Sequence, residues 1–337
     1  MTDEKPPRAA NIFDVARLAG VSHQTVSRVL NGLPNVRPAT KERVEQAISQ
    51  LRYSPSPAAR ALVTRRTRTI GLIVPGVADY GPVSIAMHFN LAARLARYNV
   101  DTVSTIDSDP ETWRAAVDGL LRQRVDAIVA VVSDFGVLEL VRGLEIAIPV
   151  VASASTPRRS PRVVSIDQYR GSRMAVRHLV ELGHTKIHHL AGPASAPDAA
   201  ERVRGWRDEL SAHRLDAPDL LQGNWSAESA YQLGLKFDVE RGAAVFASND
   251  LSALGLLSAL RERGLRAPKD ISVVGFDDVP ESAFFFPPLT TVRQDFAALG
   301  RQMMQKVLLA LEESEDATPD TPLPTELIVR KSTRAQA

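Results

Sequence analysis

Residues 12–32 read IFDVARLAGVSHQTVSRVLNG. Ile12, Val15, Ala16 and Ala19 fall at i, i+3, i+4 and i+7, the buried stripe of a first helix. Asn11 stands before it as a cap, with Asp14 at the favourable third position. Gly20 sits where the chain must turn left-handed to leave the helix. Ser22 caps a second helix over His23–Leu30, which turns Val26, Val29 and Leu30 inward and closes at Asn31-Gly32. The joint Ala19-Gly20-Val21 makes the pair a helix-turn-helix candidate. A third helix opens at Pro38 and carries Val44, Ala47, Ile48 and Leu51 on its inner side.

The outer side of the second helix is His23, Gln24, Thr25, Ser27 and Arg28. These are short or planar hydrogen-bonding groups, the kind that read base edges in a major groove. An ordinary solvated face would carry Glu and Lys, and here there are none; the plainer alternative is a three-helix bundle with a polar face. Tyr53-Ser54-Pro55-Ser56-Pro57 cannot extend the third helix. Residues 58–62, AARAL, can form one short turn of helix, too short to stand alone. Arg65, Arg66 and Arg68 follow within reach of phosphates. A flexible linker is the alternative, although a linker needs neither paired alanines nor an exposed leucine.

Charge supports the first reading. The chain has 337 residues and a net charge of +2. Residues 1–68 carry 12 Lys/Arg against 5 Asp/Glu, and the remainder 29 against 34. A head of +7 on a body of −5 points to a polyanionic partner for the head. At 44% hydrophobic and 24% charged the composition is globular, which excludes a disordered chain, a collagen-like fibre and a coiled-coil rod. Cysteine is absent, which removes disulfides, thiol catalysis and thiolate metal sites. No apolar run is long enough for a membrane span and no secretory signal is visible, so a cytoplasmic protein is expected.

From Thr69 onward, apolar runs recur at 69–74, 100–106, 127–132, 163–166, 187–190, 244–247 and 271–274, with helical spacing between most of them. That alternation predicts parallel sheets covered by helices. About 260 residues of it suit two α/β lobes better than one. In such sheets ligands sit beyond the carboxyl ends of strands. Asn249-Asp250 and Asp277-Asp278 follow strands in this way, and each pair can also be read as a helix cap or turn. Arg202 can be a surface cation and Trp225 a packing residue. The run Phe284-Phe285-Phe286-Pro287-Pro288 suits a cleft mouth, a dimer contact or simple core. A helix from Asp295 to Leu311 carries Leu299, Met303, Val307 and Leu311 as its stripe. His188 and His189, as strand neighbours, point to opposite faces, which argues against a metal site.

At this point the chain resembles the lactose-repressor (LacI/GalR) family of bacterial transcription regulators. The likeness runs through residues 12–32 and YSPSPAARAL. It continues in TIGLIVP, LVELGHTKIHHLAGP, RVRGWRDEL, VFASNDLSALG, ISVVGFDD and PPLTTVRQDF, in the family's order. The resemblance implies a helix-turn-helix head over residues 1–52, a hinge helix and linker over 53–68, and a two-lobed body of the periplasmic-binding-protein kind over 69–337. Its N-lobe would comprise about 69–163 and 293–323, its C-lobe about 164–291 and 324–331, with crossings near 164, 292 and 325. It implies a dimer on a palindromic operator. His23, Gln24 and Arg28 would read bases and Thr25, Ser27 and Asn31 would touch the backbone, with Ser22 in the same interface. From the hinge come Tyr53, Ala59 and Leu62, the leucine as a wedge that unstacks a base step. Many members have Asn after the hinge Tyr-x-Pro, where this chain has Ser56 and Pro57.

For an effector the resemblance carries over Arg202, Asn249 and Asp277 as polar ligands, Trp225 as an aromatic platform, Gln294 near the crossover, and Pro82 and Phe296 as walls. Asp79 and Asp198 are polar departures in the pocket loops, and Ala154 stands where the galactoside-responsive pattern has a carboxylate. A forked donor, a double acceptor, an amide and an indole face together suit a neutral mono- or disaccharide better than a purine. The implied function is a sequence-specific DNA-binding repressor released by a sugar, with a corepressor-dependent or activating regulator as the alternative. No cofactor or metal is implied. An enzyme fused to a DNA-binding head is disfavoured, because the chain has no G-x-x-x-x-G-K-[ST], G-x-G-x-x-G, H-E-x-x-H or G-x-S-x-G. A transport binding protein is disfavoured by the basic head. The polar tail Arg330–Ala337 continues no heptads, so a dimer is expected rather than a coiled-coil tetramer.

Overall fold

The computed structural model describes residues 10–30, 34, 36–53, 66–105, 109–156, 160–312 and 321–336. It divides into two compact units, Met1–Thr67 and Arg68–Ala337.

In the first unit, helices α1 (Ile12–Ala19), α2 (His23–Leu30) and α3 (Pro38–Gln50) surround one small core. Asn11 caps α1 through its side-chain oxygen, which accepts from Phe13 and Asp14 amides, while Asp14 returns the bond to the Asn11 amide. Gly20 ends the helix at φ 65°, a conformation costly for a residue with a Cβ. Ser22 Oγ accepts from the Thr25 amide at 3.2 Å and caps α2. Val15, Val26 and Val44 are fully buried. Each contributes about 1.5–3 kcal/mol of transfer free energy, which is what lets helices this short persist. Tyr53, which the sequence reading assigns to the hinge, packs against this core. The hinge segment 58–62 and Asn31-Gly32 lie outside the described residues.

The second unit is built on two sheets. One has the order β2-β1-β3-β4-β5, from strands β1 (Thr69–Pro75), β2 (Asn99–Thr105), β3 (Ala127–Val131), β4 (Val150–Ser153) and β5 (Val163–Val164), all parallel. The other has the order β11-β10-β9-β8-β6-β7. Its strands are β6 (Ile187–Ala191), β7 (Leu221–Gln222), β8 (Ala244–Ala247), β9 (Ser272–Asp277), β10 (Thr290–Gln294) and β11 (Thr325–Ile328). Only β11 runs antiparallel to its neighbour. The inner strands are buried on both faces, so they read as unbroken apolar runs rather than as alternation.

Helices α4 (Tyr80–Leu95) and α11 (Phe296–Leu311) cover one face of the first sheet, and α5 (Pro110–Arg122) with α6 (Phe135–Arg142) the other. On the second sheet α7 (Gln168–Glu181) and α8 (Pro197–Ala212) pack on one face, α9 (Ala227–Lys236) and α10 (Asp250–Glu262) on the other. His188 meets Phe237 on one side of β6, and His189 meets Trp206 and Phe246 on the other. The chain passes from the first sheet to the second after β5, returns after β10 to lay α11 on the first sheet, and passes back at Leu323, which bridges to Ile166. Leu299, Met303 and Val307 are buried on α11 as their spacing requires.

Two apolar features face outward. Phe284 and Phe286, 88% and 85% exposed, are not core, whereas Phe285 between them packs inward. On α4, Val83, Met87, Leu91 and Leu95 stand exposed at intervals of four, a stripe along one face. The tail does not trail into solvent: Ser332 is fully buried, donating to the Val273 carbonyl and accepting the Thr290 amide. Among the described residues no helix is long and apolar enough to cross a membrane.

Candidate functional site

A cleft between the two sheets encloses about 780 Å³ of empty space, its open mouth included. Asp79 and Pro82 reach it from the start of α4, and Ser153, Ala154 and Ser155 from the end of β4. Asp198 and Arg202 come from α8, Trp225 from the loop after β7, Asn249 from the end of β8 and Asp277 from the end of β9. Gln294 ends β10 and Phe296 begins α11. The structure thus brings the seven residues carried over for an effector, Pro82, Arg202, Trp225, Asn249, Asp277, Gln294 and Phe296, into one cavity together with Asp79, a departure from the family pattern.

In its lining lies a ring of four side chains joined by three hydrogen bonds and closed by an ion pair. Arg202 Nε donates to Gln168 Oε1 at 2.9 Å, and Gln168 Nε2 donates to Gln294 Oε1 at 2.7 Å. Gln294 Nε2 donates to Asp277 Oδ1 at 2.7 Å, and that oxygen lies 3.5 Å from Arg202 Nη2. A donor-only guanidinium at one end and a carboxylate at the other fix which way both amides point. Arg202 is 3% exposed, so it is no surface cation; Nη1 donates to the Ser248 carbonyl. Its guanidinium carbon stands 3.9 Å from the centre of the Phe276 ring and 5.2 Å from that of Trp225. Gln168 was not singled out in the sequence. Its one signal was a polar side chain directly after the chain leaves the first sheet.

Burial pushes the Asp277 carboxyl up to about 6, against the opposing pull of Arg202 and the Gln294 amide, with Asp198 and Asp79 adding to the rise. Behind it Asp250, fully buried, accepts from Thr291 Oγ1 at 2.5 Å and the Val279 amide at 2.9 Å, and is held well above its ordinary value by burial and by Asp277. Asp278 turns away from the cleft to pair with Arg293 and Arg330. Asn249 is a helix cap, as its bland reading has it: Oδ1 accepts the Ser252 amide. Its Nδ2 also donates to the Trp225 backbone carbonyl at 3.0 Å, which ties the loop carrying the indole to the start of α10. Trp225 and Asp277 adopt φ 73° and φ 106°, strained values for residues with side chains and a recurrent mark of sites under functional constraint.

In the head, His23, Gln24 and Arg28 are exposed along α2, with Thr25 and Ser27 half-buried beside them and Ser22 exposed at the cap. The His23 ring lies 5.2 Å from that of Phe13, and one Arg28 Nη donates to the Pro34 carbonyl at 3.1 Å. Tyr53 is half-buried. Asn31, Ala59 and Leu62 lie outside the described residues.

Comparison with known proteins agrees with both parts. The bacterial regulatory proteins, lacI family, match residues 11–56, and a periplasmic binding protein-like domain matches residues 176–333. The lactose operon repressor of Escherichia coli (strain K12) is 35% identical over 335 residues, 97% of this chain and 92% of that protein. An HTH-type transcriptional repressor PurR of Haemophilus influenzae (strain PittEE) is 33% identical over 337 residues, 97% and 99% of the two chains. Among solved structures, a lac repressor dimer bound to operator and the anti-inducer ONPF superposes with a TM-score of 0.87 at 32% identity, covering 97% of this chain and all of that one. Such relatives are transcriptional repressors, and this chain is likewise a DNA-binding transcriptional regulator rather than an enzyme. Matched at this identity from the head to the last strands of the body, the chain belongs to the lacI family of bacterial regulatory proteins.

Proposed function

We propose that the protein is a cytoplasmic repressor that binds a palindromic operator as a dimer and leaves it when a sugar-like effector occupies the cleft. His23, Gln24 and Arg28 read bases; Thr25, Ser27 and Asn31 contact the backbone, with Ser22 in the same interface; Tyr53, Ala59 and Leu62 act from the hinge, with Leu62 as the wedge. The head runs to residue 52, the hinge and linker to 68, and the two-lobed body over the rest. In the cleft, Arg202, Asn249, Asp277 and Gln294 serve hydroxyls, Trp225 covers an apolar C–H face, and Pro82 and Phe296 bound it, with Asp79 on the opposite wall.

The observation that carries this reading is the Arg202–Gln168–Gln294–Asp277 ring. Two of its members sit where the chain crosses between sheets, so a ligand that takes over the bonds of Arg202 and Asp277 acts directly on the lobe crossings. That supplies the differential contact a two-state switch needs. The exposed stripe of α4 supports a dimer, since burying it needs a second apolar face. The test is selection of a palindrome from random duplexes, followed by anisotropy titration with mono- and disaccharides. A sugar that weakens operator binding is expected. Binding with no preference among duplexes, or untouched by any sugar, contradicts the proposal.

A further inference from the structure

We infer that the cleft prefers a polyhydroxylated effector bearing a protonated nitrogen over a neutral one of the same shape; the inference rests on the reading of the cleft as the effector site. It follows from the charges on the two walls. On the side of the first sheet, Asp79 is the one charged residue in the lining. Its neighbours there are Tyr80, Pro82, apolar groups and small hydroxyls. On the side of the second sheet stand Asp198 and Asp277, with Arg202 as the sole cation among the described residues of the lining, which include no Lys or His.

Three carboxylates therefore face one guanidinium, and that guanidinium is committed. It donates to Gln168 and to the Ser248 carbonyl, and it already faces Asp277. Among the described residues, no hydrogen bond reaches the carboxylate of Asp79 or Asp198. Their fields are felt across the space, since both act on Asp277 in the direction that disfavours its ionised form. Asp79 belongs to the opposite lobe from the other two, so closing the cleft brings like charge toward like charge. A sugar hydroxyl donates to a carboxylate but leaves its charge unbalanced. An ammonium group supplies donors and charge together, and it offsets the repulsion that closure increases. A phosphate ester would add to that repulsion, so sugar phosphates are disfavoured on the same ground.

The probe is a matched pair of small polyols, the tris(hydroxymethyl)aminomethane cation and its neutral isostere pentaerythritol. They differ in charge and hardly in shape, which removes sugar stereochemistry from the question. The full-length protein is titrated with each near neutral pH in an amine-free buffer, with ionic strength matched by sodium chloride, following intrinsic fluorescence and thermal stability. The expected result is that the cation binds about tenfold tighter than pentaerythritol. The ratio should shrink toward one in Asp198→Asn and in Asp79→Asn, and both ligands should weaken in Trp225→Ala. Equal binding of the two polyols, or a preference that survives both Asn substitutions, overturns the charge preference and leaves the effector site standing. If neither polyol binds, or if binding is indifferent to Trp225→Ala, the effector-site reading falls and this inference falls with it.

Discussion

At Gly192, just past the end of β6, the backbone runs so close under Trp225 that an added Cβ would lie 2.4 Å from the indole ring. Gly192→Ala must therefore displace the indole platform. We expect Gly192→Ala and Trp225→Ala each to weaken effector binding about tenfold, roughly 1.4 kcal/mol, and the double variant to be no weaker than either. Calorimetric titration checks this, and additive losses would show that the glycine acts elsewhere. In the head, Arg28→Ala should cost about 1–3 kcal/mol of operator discrimination, read as the ratio of specific to random-duplex affinity.

His189 gives a test of a different kind. Its Nδ1 donates to the Phe246 carbonyl at 2.9 Å, while Nε2 is buried with no partner among the described residues. Burial pushes the ring down from 6.5 to about 4. A folded value below the unfolded one means stability that is present above pH 6.5 and lost as pH falls toward 4, on the order of 3 kcal/mol in all. Asp277 has the opposite sign: raised to about 6, it favours the folded state most below its ordinary value and loses that contribution as pH rises through 6. The melting temperature of the native protein should therefore drop more steeply between pH 6.5 and 4 than that of His189→Phe. Parallel curves would remove His189 from the account.

Elements show where spacing suffices and where it does not. The three head helices were legible because short amphipathic stretches, an Asn cap and Gly20 all agreed, and the runs at 69–74 and 244–247 were legible as buried strands. Strands β4, β7, β10 and β11 were not among the recognised runs. They are two to five residues long, and β10 reads TTVRQ, a segment whose buried threonines owe their place to neighbouring strands. The stripe of α4 was missed because apolar residues at intervals of four look like any core-facing helix until the fold shows that they point outward. That face carries a prediction. Leu91→Asp, at an exposed position, should leave the fold intact, shift sedimentation from dimer toward monomer, and weaken operator binding together with it. An unchanged dimer would place the contact on another face.

Across the whole molecule, charge is divided rather than neutral: +7 in residues 1–68 and −5 beyond. Operator affinity should fall steeply with salt, and Arg66→Ala should reduce the slope of log affinity against log salt by about one while weakening all duplexes alike. A loss confined to the specific site would make Arg66 a base reader. The two units make a matching forecast: removing residues 1–62 should abolish DNA binding and leave effector binding to the body, as assayed by thermal shift.

The helix-turn-helix, the alternation of strands and helices and the two α/β lobes were readable in the chain, because periodicity, caps and strand-end positions are local properties; Arg202, Trp225 and Gln294 were named for the cleft only through the resemblance to a family, and Gln168 was not named at all. Only the folded arrangement decided how Arg202, Gln168, Gln294 and Asp277 bond to one another, which residues are as much as 126 positions apart in sequence. It alone showed that Asn249 is both cap and anchor, that Phe284 and Phe286 face water, and that the tail is docked on the body. Hydrogen-bond partners and burial depend on what the rest of the chain brings alongside, and no spacing along a sequence encodes that.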